Sequence, residues 1–247
     1  FKNFSYRVIA ESIYGAERGD NNTNANILKT FMDSINHNLL SSDFYKKYKE
    51  HLHQHYKTAP HCSLLHYANI YRNECPEAID DQIPHWFAPF IFMFSFLIPN
   101  LLCIILNFGD VHSKLLNEIQ KDNFDLLSKT SYLHYCVIEH IRLFNTININ
   151  LQREVEQDMD YHGYHFKKGD QLFIGFANIL RDNKLFNNPD EFNPDRWYSK
   201  TTEEQKIVFG VGPQQCPSRN ISPVYYKAII YNLLKNYNYK VITPQLT

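Results

Sequence analysis

The sequence predicts a mainly α-helical protein with a small β component, and three observations support this. Most of the chain repeats apolar residues with the 3.6-residue period of a helix, while residues 161–176 alternate with period two. A proline-punctuated loop and a glycine-rich cysteine loop follow, before a last helical stretch. With 247 residues, 44% of them hydrophobic, the chain is long enough to build a sizeable core. We expect one domain over residues 1–247.

The composition limits which binding partners and which cellular compartment are expected for this protein. A formal net charge of -1 gives no electrostatic reason to expect nucleic acid or an acidic membrane as a partner. The five cysteines are Cys62, Cys75, Cys103, Cys136 and Cys216. Because they are odd in number and lack C-x-x-C spacing, they favour a reducing compartment, cytoplasmic or facing the cytoplasm, over a disulfide framework.

The first part of the chain predicts three helices. Residues 4–15 carry apolar groups at helical spacing, closed by Gly15 as a C-cap. Residues 27–56 predict two further helices, the second capped at Ser42 or Asp43. The histidines of the HLHQH run would suit a zinc site on a strand, but in polar, helical sequence they are typical of a surface run.

The segment from Trp86 to Leu106 contains no charged residue and supports two interpretations. One is a transmembrane helix, because about 20 apolar residues span a bilayer. The other is a long helix buried on all sides in a large domain. The flanks favour the second, because acidic residues outnumber nearby basic ones and no basic cluster marks a cytoplasmic side.

Two helices are predicted directly after this segment. The first is capped at Asp110 and presents Val111, Leu115 and Ile119 on one face. The second covers residues 131–144 and is amphipathic. Its predicted inward residues are Leu133, Val137, Ile138 and Ile141.

The alternating stretch predicts a β-hairpin that turns at Lys168, Gly169 and Asp170. The loop NNPDEFNPDRWY after it has no periodicity and predicts no regular element. The closing residues, 217–236, are again spaced for a helix with one buried face.

The stretch FGVGPQQCPSRN gathers two glycines and two prolines around one cysteine. Gly210 and Gly212 allow a tight turn and a close approach of the backbone to another group. Pro217 suits the first position of a helix, which would place Cys216 at a helix N-terminus. Backbone N–H groups there favour a thiolate, and thiolates bind metals.

Two charged motifs precede this loop. Glu139 and Arg142 form an E-x-x-R pair on one face of a helix, a spacing that on its own is typical of a solvated surface ion pair. FNPDRW places Arg196 in the irregular loop. Followed by F-x-x-G-x-x-x-C at Phe209, Gly212 and Cys216, the ordered triple resembles the cytochrome P450 family.

The resemblance implies that haem b is the cofactor and that the Cys216 thiolate is the axial ligand of its iron. Phe209 would pack near the ligand loop, and Gly212 would let the backbone turn beneath the porphyrin. Arg153 falls where the family places a haem-propionate partner. Gln214 stands where the family usually has an arginine or histidine for the same purpose, and glutamine can hydrogen-bond a propionate but not neutralise it.

The resemblance also assigns the predicted elements. Glu139, Arg142 and Arg196 would form a buried charge network that supports the cysteine loop. The implied elements are an I helix at about 86–108, a K helix at about 131–144, the meander and cysteine loop at about 185–217, and an L helix at about 217–236. The chain would be the C-terminal part of the fold, with the A to D helices missing. An N-terminal membrane anchor, if one exists, would precede Phe1.

The implied function is a monooxygenase that acts on an apolar small molecule with electrons from a separate reductase. Besides Gln214, two further departures from the family pattern bear on this function and leave alternatives open. Ser218 stands where the family has glycine or alanine, and the acid-alcohol pair of the I helix is absent, its position falling near Phe90, Phe92 and Met93. No catalytic residue is therefore assigned. The alternatives are a peroxide isomerase or dehydratase of the same fold, and a truncated relative without catalytic activity.

Overall fold

The computed structural model describes residues 2–15, 21–36, 42–74, 79–144, 151–213 and 215–239. These residues form mostly helices, with four short strands among them, so the predicted fold class is confirmed. The chain divides into two compact units, residues 1–100 and 101–247, and each is described by itself. The expectation of a single domain stays a prediction.

The described part of the first unit is helical. Its α-helices are α1 (Lys2–Tyr14), α2 (Asn21–Asn36), α3 (Ser42–Tyr56), α4 (Leu64–Ile70) and α5 (Ile79–Phe92), with a 3₁₀ turn at Arg72–Glu74. Ile13, Leu28 and Leu52 lie in its core. Gly15 ends α1 with a positive φ of 94°, as predicted, and an added Cβ would lie 2.1 Å from Pro60 Cγ. Glycine is therefore required at that position.

The HLHQH histidines lie on α3, and each has a separate partner. His51 Nε2 lies 3.0 Å from Asn24 Oδ1, and His53 Nε2 lies 2.6 Å from Asp80 Oδ2. His55 Nδ1 lies 2.8 Å from the His51 carbonyl oxygen one turn earlier. Among the described residues, no group of three or more histidine, cysteine or acidic side chains could hold a metal ion.

The long apolar segment is helical from Ile79 to Asn107, beginning earlier than the predicted residue 86. A π-helical segment, Met93–Leu97, interrupts it before α6 (Ile98–Asn107). In the described part of the chain it is the one helix with the length and composition to cross a membrane, and 44% of its most apolar 18 residues are buried. Because Phe96 is 63% exposed, burial on all sides is not observed.

The second unit contains two longer helices before its strands, α7 (Gly109–Ile119) and α8 (Tyr132–Phe144). The predicted inward residues of α7, Val111, Leu115 and Ile119, are all buried. The predicted cap is wrong, because the N-cap residue of α7 is Phe108, which makes no side-chain cap hydrogen bond, and Asp110 lies in the first turn of the helix. A carboxylate there still interacts favourably with the N-terminal end of the helix dipole.

The strands pair differently from the prediction. The strands are β1 (Leu151–Glu154), β2 (Met159–Tyr161), β3 (Tyr164–Phe166) and β4 (Gln171–Ile174). β2 and β3 form the hairpin, which turns at His162 and Gly163, while β4 pairs antiparallel with β1. Both turn residues have a positive φ, as two-residue hairpin loops favour. The predicted turn at 168–170 connects β3 to β4 instead.

Short helices and one long helix complete the unit. They are α9 (Phe176–Ile179), α10 (Thr202–Gln205), α11 (Ser222–Asn236) and 3₁₀ segments at Pro194–Trp197 and Lys206–Phe209. The prediction that the last helix begins at Pro217 is wrong. Residues 217–221 form turns, in which the Ser218 carbonyl oxygen accepts from the N–H groups of Ile221 and Ser222. Pro223 then takes the first-turn position expected of Pro217.

Candidate functional site

The site is built on α8, which is buried almost all round. The helix begins where the Glu118 carboxylate accepts from the N–H groups of Tyr132 (2.6 Å) and Leu133 (2.9 Å). Ile141, predicted to point inward, is half-buried, whereas the charged Glu139 and Arg142 are fully buried. The amphipathic pattern therefore describes only part of the helix.

Glu139 and Arg142 form a two-bond ion pair within α8. Arg142 Nε lies 2.9 Å from Glu139 Oε2, and Arg142 Nη2 lies 2.9 Å from Glu139 Oε1. Both side chains are 0% exposed. A parallel fork of this kind fixes the guanidinium plane and is stronger than a single neutral hydrogen bond. The surface ion pair that the spacing alone suggests is not what forms.

The same carboxylate binds the PDRW turn. Arg196 Nε and the backbone N–H of Asn193 donate to Glu139 Oε1 at 2.9 Å and 3.0 Å. Trp197 Nε1 donates to Oε2 at 2.9 Å. The predicted network of Glu139, Arg142 and Arg196 is thus present in the structure. Trp197 belongs to the network as well. FNPDRW contains that residue, but nothing in the motif predicts that its indole N–H donates to a carboxylate.

The two arginines carry one more positive charge than Glu139 neutralises, and backbone carbonyls accept their remaining donors. Arg142 donates to the carbonyl oxygens of Leu180 (2.8 Å), Pro189 (2.6 Å) and Glu191 (3.2 Å). Arg196 donates to those of Asn187 (2.6 Å) and Asn188 (3.1 Å). An otherwise irregular segment, residues 187–191, is therefore held by side-chain donors from α8 and from the PDRW turn.

The cysteine loop follows the Lys206–Phe209 turn and closes on it. Gly210 and Gly212 have positive φ values of 75° and 86°, which other residues rarely adopt. The Cys216 N–H donates to the Phe209 carbonyl oxygen at 2.8 Å, so the loop returns to its starting point. The predicted tight turn is present. Gln214 lies outside the described residues.

Cys216 has a free thiol that is half-buried. Its Sγ lies 3.1 Å from Ser218 Oγ, and its carbonyl oxygen accepts from Arg219 Nη1 at 3.3 Å. Because α11 begins only at Ser222, the cysteine does not lie at the helix N-terminus that the sequence predicted. The polar group beside the sulfur is the hydroxyl of Ser218, which belongs to the turn that follows.

A basic cleft borders the loop and α8. Its lining includes Phe209, His134 and four cationic side chains, Lys129, Lys206, Arg219 and Lys227. Lys227 is buried, and its Nζ donates to the Ser128 carbonyl oxygen at 2.7 Å. Burial lowers the pKa of Lys227 to about 8.

Two buried histidines of α8 are held in the neutral form. Burial, and then the nearby Lys227 charge, lower the pKa of His134 to about 4. Burial lowers the pKa of His140 to about 3. His134 Nε2 lies 3.0 Å from Gln205 Oε1, so a neutral ring that donates from Nε2 satisfies this contact.

The family model for Cytochrome P450 matches residues 109–245, more than half of the chain. The match contains Glu139, Arg142, Arg196 and Cys216. The chain belongs to the cytochrome P450 family. The helical structure with few strands is that of a partial P450 fold.

Similar P450s and related enzymes come from animals and plants. The mitochondrial cholesterol side-chain cleavage enzyme of Hypanus americanus is 30% identical over 142 residues, 56% of this chain and 27% of that enzyme. Cytochrome P450 3A15 of Cavia porcellus is 30% identical over 153 residues, 56% of this chain and 30% of the relative. The (+)-piperitol/(+)-sesamin synthase CYP81Q2 of Sesamum radiatum is 28% identical over 153 residues, which are 58% of this chain and 30% of that enzyme. The matched region thus spans less than a third of each relative.

Membership of the P450 family implies a haem iron as cofactor. The donors in the loop fit that group. Cys216 is a free thiol with part of its surface exposed, presented by a closed loop whose glycines leave room for close approach. An added Cβ at Gly212 would meet nothing within 4 Å, so open space lies on that side of the loop. The ligand role of Cys216 stays a prediction.

Two other predicted positions can be located. Arg153, expected at a haem propionate, lies on β1, where its Nη1 donates to the Gln152 carbonyl oxygen at 2.7 Å. Its propionate role stays a prediction. The place expected for the P450 acid-alcohol pair, near Phe90, Phe92 and Met93, covers the end of α5 and the start of the π-helical segment. That segment also contains Ser95, whose Oγ lies 3.1 Å from Ser5 Oγ. The described side chains of that segment include no ionisable group.

Proposed function

We propose that this P450 chain holds haem b through the thiolate of Cys216 and serves a monooxygenase that oxidises an apolar small molecule. The observation that carries the proposal is the half-buried free thiol of Cys216 at the end of a loop closed on Phe209. When bound, the haem supplies oxygen activation, which a thiolate ligand favours by donating electron density to the iron.

The chain's own residues hold the ligand in position. The bond from Cys216 N–H to the Phe209 carbonyl oxygen fixes the end of the loop, and the two positive-φ glycines shape its middle. Glu139, Arg142 and Arg196 act as positioning residues, since they hold the segment that leads to the PDRW turn. We expect no direct contact of these three residues with substrate.

The partners follow from the same proposal. An apolar substrate and a separate reductase fit a P450 monooxygenase, and free cysteines fit a reducing compartment, cytoplasmic or facing the cytoplasm.

A carbon-monoxide difference spectrum of the reduced, haem-loaded full chain tests the ligand. We expect the band typical of a thiolate ligand in the natural protein and in Cys62→Ala, which removes an exposed cysteine of the other unit. The band should be lost in Cys216→Ala. A natural protein without the band, or a Cys216→Ala variant that keeps it, would contradict the proposal.

A peroxide isomerase or dehydratase is the second candidate function. The observation that favours it is the stretch that contains Phe90, Phe92 and Met93, the expected place of the acid-alcohol pair, where residues 90–93 include neither an acid nor an alcohol. The proton delivery that a monooxygenase needs would be hard to arrange without ionisable groups, whereas a peroxide substrate already contains its O–O bond. Turnover that needs NADPH and a reductase supports the monooxygenase. Turnover of an added hydroperoxide alone supports the isomerase, and neither turnover supports a non-catalytic relative.

A further inference from the structure

Ser218 places a hydroxyl beside the sulfur of Cys216. The distance between Cys216 Sγ and Ser218 Oγ is 3.1 Å, within hydrogen-bond range for sulfur. Either atom could donate while the sulfur carries its proton. A ligating thiolate has no proton, so in that state only the hydroxyl can donate.

The turn around these residues fixes both ends of the contact. The Ser218 carbonyl oxygen accepts from the N–H groups of Ile221 (3.0 Å) and Ser222 (2.8 Å). On the other side, the Cys216 carbonyl oxygen accepts from Arg219 N–H and from Arg219 Nη1, both at 3.3 Å. Neither residue lies in a helix, yet the backbone of each is tied to its neighbours. The hydroxyl is therefore held near the sulfur by the fold of the turn.

We propose that the Ser218 hydroxyl donates a hydrogen bond to the Cys216 sulfur and thereby raises the reduction potential of the haem iron. This inference rests on the proposed ligand role of Cys216. Reduction of the iron adds negative charge that the sulfur shares, so a donor at the sulfur stabilises the reduced form more than the oxidised form. Ser218 is thus a positioning and tuning residue rather than a catalytic one.

The departure of Ser218 from the family's glycine or alanine has a specific meaning under this proposal. A small residue at this position leaves the sulfur to backbone donors, whereas serine adds one side-chain donor. The extra donor draws electron density from the sulfur, so the sulfur donates less to the iron. The hydroxyl that departs from the family pattern is then the group that raises the reduction potential of the iron.

The test compares Ser218→Ala, which loses the hydroxyl, with Ser218→Thr, which keeps it. Ser113→Ala is the matched control, because it removes an exposed serine hydroxyl from α7. The haem-loaded full chain is used throughout. We expect Ser218→Ala to lower the equilibrium constant for one-electron reduction three- to tenfold, tenfold being about 59 mV. We also expect a higher iron–sulfur stretching frequency in the resonance Raman spectrum. Ser218→Thr and Ser113→Ala should keep both values.

The outcomes separate this inference from the function it rests on. If the carbon-monoxide band of a thiolate ligand is present but Ser218→Ala keeps the natural potential, the role of Ser218 is wrong and the ligand role of Cys216 stands. An equal shift in Ser218→Thr and Ser218→Ala would likewise overturn the hydrogen bond. If the natural protein shows no thiolate band, both proposals fail.

Discussion

Two acid–base pairs in the second unit have the same i, i+3 spacing, yet they lie in opposite environments. Glu139 and Arg142 are 0% exposed and share their charges with a turn more than 50 residues later in the chain. Glu203 and Lys206 are 78% and 32% exposed, and their contact of 2.5 Å joins two flexible side chains at the surface. Spacing alone therefore does not distinguish a structural network from a solvated pair. The two are distinguished by the additional donors that reach the Glu139 carboxylate.

The largest effect is expected where the buried carboxylate is neutralised. Glu139→Gln leaves Arg142 and Arg196 without their shared counter-charge in a buried site, so the free energy of unfolding should fall by about 3 to 5 kcal/mol. The chain has two tryptophans. In a Trp86→Phe background, urea unfolding followed by fluorescence reports on Trp197, which belongs to the network. The matched change at the exposed pair, Glu203→Gln, should leave the transition unchanged, and equal effects of the two changes would refute the distinction.

The next effect separates the two arginines. Arg142→Lys keeps the charge but loses the fork that serves Glu139 and three carbonyl oxygens, which should cost about 3 kcal/mol. Arg196→Lys should cost about 1 kcal/mol, because this side chain is 10% exposed and water can replace part of its contacts. The same unfolding assay measures both. A larger loss in Arg196→Lys would mean that the PDRW turn, and not α8, is the centre of the network.

Acid should destabilise the second unit through its buried histidines. The pKa of His140 is lowered to about 3 and that of His134 to about 4, from an ordinary value near 6.5. Between pH 6.5 and the lowered pKa values, the unfolded chain binds protons that the folded chain does not. The stabilisation that depends on the neutral histidines is therefore complete above pH 6.5, and the free energy of unfolding falls as the pH drops through this range.

His140→Phe should abolish part of that loss, because Phe keeps the ring beside Phe144 and Tyr226 and cannot be protonated. Between pH 6.5 and 4.5 the variant should lose about 2 kcal/mol less than the natural protein. His112→Phe makes the same change on a half-buried residue and serves as the control. Identical pH profiles for the natural protein and His140→Phe would contradict the assignment.

The smallest effect is expected at Lys227, a buried cation without a network. Lys227→Met loses the bond to the Ser128 carbonyl oxygen but also removes the cost of burying a charge, so the net change at pH 7 should be within about 1 kcal/mol. In the natural protein the pKa of about 8 lies below the ordinary 10.5, so stability should rise between pH 8 and 10.5. This rise in stability should be absent in Lys227→Met. A rise that persists in the variant would come from a group other than Lys227.

The sequence was sufficient for the fold class and for the network. Helical periodicity identified most helices. The order of E-x-x-R, FNPDRW and the cysteine loop resembles the P450 family, and that resemblance implied that Glu139, Arg142 and Arg196 meet. It did not reveal Trp197 as a further donor, because an aromatic residue in an irregular loop is equally consistent with simple packing.

The wrong predictions concern strand pairing and the start of the last helix, which the local sequence pattern does not determine. Period-two alternation identifies strands but not their partners, so the β1–β4 pairing and the turn at His162 and Gly163 were missed. Pro217 and Pro223 both suit a helix start. The carbonyl oxygen of Ser218 accepts from the N–H groups of Ile221 and Ser222 in a turn, and the helix begins at Ser222. A contact between residues close in sequence can thus override a propensity that sequence alone favours.

The bonds from Glu139 to Asn193, Arg196 and Trp197 close a loop of more than 50 residues. Closing so long a loop costs chain entropy once, and all of these contacts then form together. The loop between the two ends includes the four strands and α9. We therefore expect amide protons of α8 and of residues 193–197 to exchange with solvent as one cooperative unit, opening at the same free energy although they are distant in the chain.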